Sequence, residues 1–209
     1  MAVWALSWWP SGPGTADDPD ADLLAGAQAG QVQAATELTR RHYLRVFRFI
    51  LRQVLNPADA EDLVQETFLE AHRRLSSFRG AAKYSTWVMG IAQNLVRNHF
   101  NRGPSSRLPS APLDEIVDLL ASNAPDPEEG LAARDQNRAL LEALGQGLSP
   151  EWRQALVLVT LEGLSYEQAA GLLDVPVGTV KTRVFRARQR LRQLLARQGH
   201  EPAAKEEAT

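Results

Sequence analysis

Residues 164–184 have the sequence LSYEQAAGLLDVPVGTVKTRV, and this stretch determines how the C-terminal part of the chain folds. Ser165 and Gln168 have the spacing of a capping box, in which each side chain bonds the backbone N–H of the other residue. Asp174 lies between the two helical segments, where the chain must turn. Aspartate suits such a position because it tolerates the left-handed conformation better than most residues. Pro176 precedes the next helical segment, where its missing N–H costs little. The stretch predicts a helix-turn-helix.

The second helix of this motif is amphipathic and basic. Its apolar stripe is formed by Val180, Val184, Ala187, Leu191 and Leu194, at helical spacing. From Val177 to His200 the chain has seven lysines and arginines and no acidic residue. Such a segment suits a polyanion, and the N-terminal part of a recognition helix is where side chains meet base edges.

The overall charge conceals this asymmetry, because 23 basic and 25 acidic residues give a net charge of −2. Between Gly103 and Asp135 there are seven acidic residues against two arginines. This segment is also rich in proline and has no sustained apolar period, so it predicts an extended, flexible linker. The distribution predicts one surface for DNA and others for protein partners.

Helical periodicity also runs from Asp22 to Arg102. Asn56-Pro57 interrupts it, because a residue before proline disfavours the helical region. A helix is then expected from Asp59, as its N-cap, to about Leu75. A loop is expected over 76–84, followed by a third long helix.

The predicted fold is all-α, with two small helical domains joined by a flexible linker. Its length of 209 residues, at roughly 150 per domain, allows one large domain or two small ones. The absence of cysteine excludes disulfide scaffolds and Cys-ligated zinc, and no apolar run is long enough to span a membrane. We expect a cytoplasmic protein without membrane insertion. The predicted divisions are a disordered extension over 1–20 with Trp4, Trp8 and Trp9, a first domain over 21–102, an acidic linker over 103–130, a second domain over 131–198 and a disordered tail over 199–209.

The helix-turn-helix resembles region 4 of bacterial RNA polymerase sigma factors, and residues 176–188 are similar to the extracytoplasmic-function (ECF) group of the sigma-70 family. The resemblance implies that this domain binds duplex DNA at the −35 promoter element. The residues it assigns to that contact are Thr179, Lys181, Thr182, Arg183, Phe185 and Arg186.

The first domain resembles sigma region 2. Residues 59–71 match the segment that docks on a coiled coil of the polymerase β′ subunit, which implies docking roles for Asp62, Gln65 and Glu66. Residues 78–98 resemble the segments that capture the melted −10 strand. Capture of single-stranded DNA uses stacking surfaces, cations and amides, and the resemblance assigns these to Arg79, Lys83, Tyr84 and Asn94.

Two features of the second segment modify this expectation. Trp87 shares a helical face with apolar residues, which predicts a core position rather than a stacking surface. Met89, Gly90 and Gln93 stand where relatives often carry aromatic or basic residues. We therefore expect fewer −10 contacts, or contacts from elsewhere in the chain.

The predicted function is a sigma factor that binds core RNA polymerase (β′ and β subunits), directs it to promoters and helps to open the DNA. The resemblance also implies an anti-sigma partner. Two alternatives remain open: a helix-turn-helix regulator that binds DNA without polymerase, and a sigma-like adaptor that sequesters an anti-sigma factor. No enzyme motif accompanies the scattered histidines, so neither catalysis nor a metal or other cofactor is expected.

Overall fold

A computed structural model of the protein describes residues 18–80, 82–101, 116, 138, 141, 144, 145 and 147–197. The described part contains helices and no strand, so the predicted all-α fold is confirmed. The helices are α1 (Ala21–Gln28), α2 (Val32–Val54), α3 (Pro57–Arg74), α4 (Tyr84–Asn101), α5 (Pro150–Leu156), α6 (Tyr166–Leu173) and α7 (Val177–Arg197). A 3-10 turn at Leu75–Ser77 extends α3, and a π-helical turn at Val157–Leu161 extends α5.

The junction between α2 and α3 corrects the expected start of α3. Helix α2 ends at Val54, Leu55 adopts the left-handed conformation with a φ of 56°, and α3 begins at Pro57. The N-cap is Asn56, whose side-chain oxygen accepts hydrogen bonds from the backbone N–H groups of Ala58 and Asp59. Asp59 was expected to be the cap but lies inside the first turn. Proline suits the first helical position, because the N–H that it lacks would have no partner there.

Helices α1 to α4 form the first bundle, in which α2 and α4 both pack against α3. The most buried side chains come from all three long helices and include Ile50 and Leu51 of α2, Val64 of α3, and Val88 and Ala92 of α4. Residues 87–93 of α4 are buried without exception. A helical segment buried all round has neighbours on every side.

Helices α5 to α7 form the second bundle, and this bundle packs on the first. Helix α4 contacts α6, and α2 contacts α5. The guanidinium of Arg97 lies 3.7 Å from the carboxylate of Asp174, and Glu162 lies 3.9 Å from both Arg45 and Arg52. Beside the Glu162 pairs, Met89, Leu158 and Leu172 line a small cavity of about 130 Å³ between the two bundles.

Residues 18–20, which the sequence predicts to be disordered, are described by the structure. Asp18 and Asp20, placed in a disordered extension by the sequence analysis, are buried and hydrogen-bonded. Tyr84 bonds Asp18, and Arg41 and His42 bond Asp20; local composition does not reveal these distant partners. Residues 1–17 with the three tryptophans, residues 198–209 and most of the linker lie outside the described residues. Ile116 is the exception in the linker, since it is helical and fully buried rather than extended.

The corrected cap gives a direct stability prediction. Replacing Asn56 with Ala removes the acceptor for two backbone N–H groups, so the free energy of unfolding should fall by about 1 kcal/mol. Urea denaturation measures this change. Asp59→Ala is the matched control and should cost less, because Asp59 does not cap the helix. An equal or larger loss for Asp59→Ala would contradict the view that the Asn56 cap is the main source of stability at this helix start.

Candidate nucleic-acid and polymerase interface

The helix-turn-helix has the local geometry that its sequence predicts. The Ser165 hydroxyl accepts from the Gln168 N–H at 3.2 Å, and the Gln168 side chain accepts from the Ser165 N–H at 2.7 Å. Asp174 ends α6 in the left-handed conformation with a φ of 55°. The carbonyl of Pro176 then accepts from the Thr179 N–H at 2.9 Å in the first turn of α7. The predicted capping box and turn are confirmed.

Helix α7 buries one stripe and presents its basic face. Val180, Val184 and Ala187 are almost completely buried, and Leu191 and Leu194 continue the same stripe with more exposure. The remaining faces carry the residues that the resemblance assigned to the −35 contact. Lys181, Thr182, Phe185 and Arg186 are exposed, whereas Thr179 and Arg183 are half-buried.

Two of these side chains have neighbours that orient them. The Lys181 ammonium lies 5.8 Å from the centre of the Tyr166 ring, within the range of a cation–π interaction. The Thr182 hydroxyl donates to the carbonyl of Gly178 at 2.9 Å, which leaves its oxygen free to accept. Phe185 has 67% of its surface exposed, an unusual position for a phenylalanine without a partner.

Trp152 is a residue of this surface that sequence reasoning missed. It lines a shallow depression together with Thr179, Thr182, Arg183 and Arg186. Ser149 caps α5 and accepts from the Trp152 N–H, so the indole lies in the first turn of α5. The Ser-Pro pair at 149–150 marks this helix start in the sequence, but its contact with α7 depends on the tertiary fold.

The three residues assigned to polymerase docking lie on the exposed face of α3. Asp62, Gln65 and Glu66 are all exposed, whereas Leu63 and Val64 are buried. Leu69, one turn beyond Gln65 and Glu66, has 58% of its surface exposed. Helix α3 therefore presents an acidic and amide-bearing ridge that borders an exposed apolar side chain.

The segment assigned to the −10 strand is divided between surface and core. Arg79 and Lys83 are exposed in the loop before α4, and Asn94 is half-buried on α4. Tyr84 does not share this exposure. Its ring retains 4% of its surface and packs against Phe78 and Trp87.

This burial corrects the expected role of Tyr84, because a ring enclosed in the core has no face on which a base can stack. Trp87 is 6% exposed and belongs to the same cluster, as predicted. Burial raises the pKa of the Tyr84 phenol to about 12, with a smaller contribution from the negative charge of Asp20.

Met89, Gly90 and Gln93 are also buried on α4. Among the described residues, the side-chain nitrogen and oxygen of Gln93 have no hydrogen-bond partner. The three positions at which the sequence departs from the pattern of many relatives therefore lie in the interior, where other helices pack against α4.

No helix in the described ranges has the length and apolar character needed to cross a membrane. Among the same residues, no group of three or more His, Asp or Glu side chains is arranged to hold a metal ion.

Comparison with known proteins identifies the family. Residues 38–103 match the family model for sigma-70 region 2, and residues 138–191 match that for sigma-70 region 4. The chain is 35% identical over 189 residues to the ECF RNA polymerase sigma factor SigE of Mycolicibacterium smegmatis, covering 90% of this chain and 72% of that relative. It belongs to the ECF sigma factors of the sigma-70 family.

Two further similarities agree with this assignment. The ECF RNA polymerase sigma-E factor of Escherichia coli K12 is 34% identical over 174 residues, covering 81% of this chain and 91% of the relative. The sigma factor RpoE of Bartonella quintana, solved with the anti-sigma factor NepR, aligns with a TM-score of 0.54 at 26% identity, covering 79% and 98% of the two chains. As an ECF sigma factor, this protein directs RNA polymerase to promoters, and sigma factors as a class are regulators rather than enzymes.

The burial of Tyr84 gives a pH-dependence prediction. Its folded pKa of about 12 exceeds the ordinary value of 10, so the folded state keeps a proton that the unfolded chain releases. The stability that this difference contributes is present below pH 10 and is lost as the pH rises to about 12. Tyr84→Phe should therefore lose less stability over this range than the parent protein, as measured by urea midpoints at each pH.

Tyr43→Phe is the matched control, because the Tyr43 side chain is 39% exposed. It should leave the alkaline slope of the parent almost unchanged. If both variants flatten the slope equally, the buried phenol is not its source.

Proposed function

We propose that the exposed face of α7 is the −35 recognition surface of this sigma factor and that Thr179, Lys181, Thr182, Arg183, Phe185 and Arg186 contact the duplex. The observation that carries this proposal is the orientation of α7, whose apolar stripe is buried while its N-terminal polar and basic side chains remain accessible. A helix without acidic residues encounters no repulsion from the phosphates. Arginine and lysine can bond guanine edges, and the exposed Phe185 ring can contact a thymine methyl group.

In the −10 region, Arg79 and Lys83 contact the phosphates of the melted strand and Asn94 contacts a base edge. The exposure of the two cations beside the N-terminus of α4 supports this assignment. Tyr84 does not stack on a base. It belongs to the aromatic cluster with Phe78 and Trp87, which packs against both ends of the loop.

Asp62, Gln65 and Glu66 dock on the β′ coiled coil of the polymerase. Their common exposure on α3 supports this role, because carboxylates and an amide on one ridge can accept charge-assisted hydrogen bonds from a basic helix. Contacts with the β subunit accompany the placement of the second bundle on the promoter.

Regulation by an anti-sigma factor is part of the same proposal, and its support is the similarity to RpoE of Bartonella quintana, which was solved with the anti-sigma factor NepR. We place the protein in the cytoplasm, where bacterial transcription occurs, and assign it no catalytic reaction of its own.

The −35 assignment predicts a loss of discrimination in Arg186→Ala. If Arg186 bonds a guanine edge, the variant should lose about 1–3 kcal/mol of preference for its −35 sequence over a single-base substitution. Competitive initiation assays with both promoters and added core polymerase measure the ratio. Arg192→Ala, which changes an exposed arginine nearer the C-terminal end of α7, should preserve it. Equal loss on both promoters would identify Arg186 as a phosphate contact instead.

The docking assignment predicts a loss of polymerase affinity in Glu66→Lys. The substitution places a positive charge on the ridge that faces a basic partner, so affinity for core polymerase should fall at least about tenfold. Competition against the labelled parent protein measures the affinity, and circular dichroism checks the fold. Asp22→Lys makes the same charge change at an exposed position of α1, away from this ridge, and should have little effect. If the two variants lose the same affinity, the loss comes from the change in overall charge and not from a contact of Glu66 with the polymerase.

A further inference from the structure

The first helix holds the start of the loop that carries Arg79. The side-chain amide of Gln28, the last residue of α1, donates to the carbonyl of Leu75 at 3.0 Å and to that of Phe78 at 3.0 Å. Leu75 is the first residue of the 3-10 turn after α3, and Phe78 follows its last residue, where the loop begins. One amide group therefore fixes the direction in which the chain leaves this turn.

The turn before α1 holds the end of the same loop. One carboxylate oxygen of Asp18 accepts from the backbone N–H of Tyr84, the first residue of α4, at 2.9 Å. The other oxygen accepts from the N–H of Asp20 at 3.1 Å. Asp18 thus supplies, from 66 residues away, a partner for the helix start that follows Lys83. A carboxylate at this position also interacts favourably with the positive end of the helix dipole.

Asp18 is itself held in place by its neighbour. The Asp20 carboxylate is buried and lies 3.1 Å from the Arg41 guanidinium and 2.7 Å from the His42 ring nitrogen on α2. The His42 ring packs against Tyr84, with ring centres 5.3 Å apart. The short segment before α1 is thus tied to both α2 and α4, and it cannot shift without breaking these bonds.

We propose that residues 18–28 fix both ends of the loop between α3 and α4 that carries Arg79 and Lys83, and we call this segment the clamp. Asp18 and Gln28 are then positioning residues for capture of the melted −10 strand. Neither side chain is assigned a DNA contact. They act through the backbone at Phe78 and Tyr84, which sets the positions from which Arg79 and Lys83 extend. This inference rests on the proposed −10 role of those two cations.

The physical basis is preorganisation. A loop fixed at both ends loses less conformational freedom when it binds a strand, so more of its interaction energy remains for binding. A loosened loop should therefore weaken both the opening of the promoter and the choice between −10 bases.

The experiment compares Gln28→Met and Asp18→Ala with the parent protein, each as the full chain bound to core polymerase. Gln28 is exposed, and methionine keeps its approximate size while removing the two hydrogen bonds, so this variant should fold. Asp22→Ala is the matched control, since Asp22 is an exposed acid on the same helix. Three quantities are measured: affinity for core polymerase, initiation on duplex and on premelted promoters, and the rate ratio for two bases at each −10 position.

The clamp predicts that Gln28→Met and Asp18→Ala lower initiation on the duplex promoter about tenfold, the equivalent of one or two hydrogen bonds. The premelted promoter should recover most of this loss, and the −10 base ratio should fall. The two variants should keep their affinity for core polymerase, and Asp22→Ala should keep all three quantities, within about twofold of the parent, a margin below the typical contribution of one such bond.

The proposal is overturned if the base ratio is unchanged, or if initiation falls equally on duplex and premelted promoters, because a purely structural role would reduce the amount of active protein uniformly. Lys83→Ala separates this failure from that of the −10 assignment. If Lys83→Ala impairs capture of the −10 strand while both clamp variants behave like the parent, the clamp is wrong and the assignment stands. If Lys83→Ala also has no effect, the −10 assignment itself fails.

Discussion

The enclosure of helix α4 is the constraint on which the rest of the structure depends. Seven consecutive residues, 87–93, are buried, so this part of the helix has packing partners on all sides. Helices α2 and α3 cover it from within the first bundle, and α6 covers it from the second. Its position fixes where Tyr84 begins the helix, where the loop with Arg79 and Lys83 ends, and where Arg97 meets Asp174.

The surface has a basic region on α7 and an acidic region on α3. Helix α7 has no acidic residue along its described length, and its exposed side chains suit a polyanion. The exposed ridge of α3 carries Asp62, Gln65 and Glu66, which suits a basic protein helix. A net charge of −2 for the whole chain conveys neither property, because binding depends on the local field at each surface.

Local features were predictable where local chemistry decides them. The capping box of Ser165 and Gln168, the left-handed Asp174 and the apolar stripe of α7 follow from short-range spacing, and the structure has all three. The cap of α3 was misassigned by three residues, because both Asn56 and Asp59 are good capping residues and proline at the first helical position decided between them.

Features that depend on distant residues were not predictable. The burial of Asp18 and Asp20 requires Tyr84, Arg41 and His42, which lie far along the chain. The enclosure of Tyr84 in an aromatic cluster depends in the same way on tertiary packing. The contribution of Trp152 to the surface beside α7 required the packing of α5, for which a single sequence has no signal.

The proposed −35 surface on α7 and the proposed −10 surface beside α4 together confer promoter recognition on RNA polymerase. The most direct measurement adds the purified protein to bacterial core polymerase and sequences the transcripts made from a library of linear promoters. We expect start sites that depend on the added protein and share both a −35 and a −10 motif. A well-folded protein that yields no initiation, or that selects its −35 sequence equally well without polymerase, would contradict this expectation.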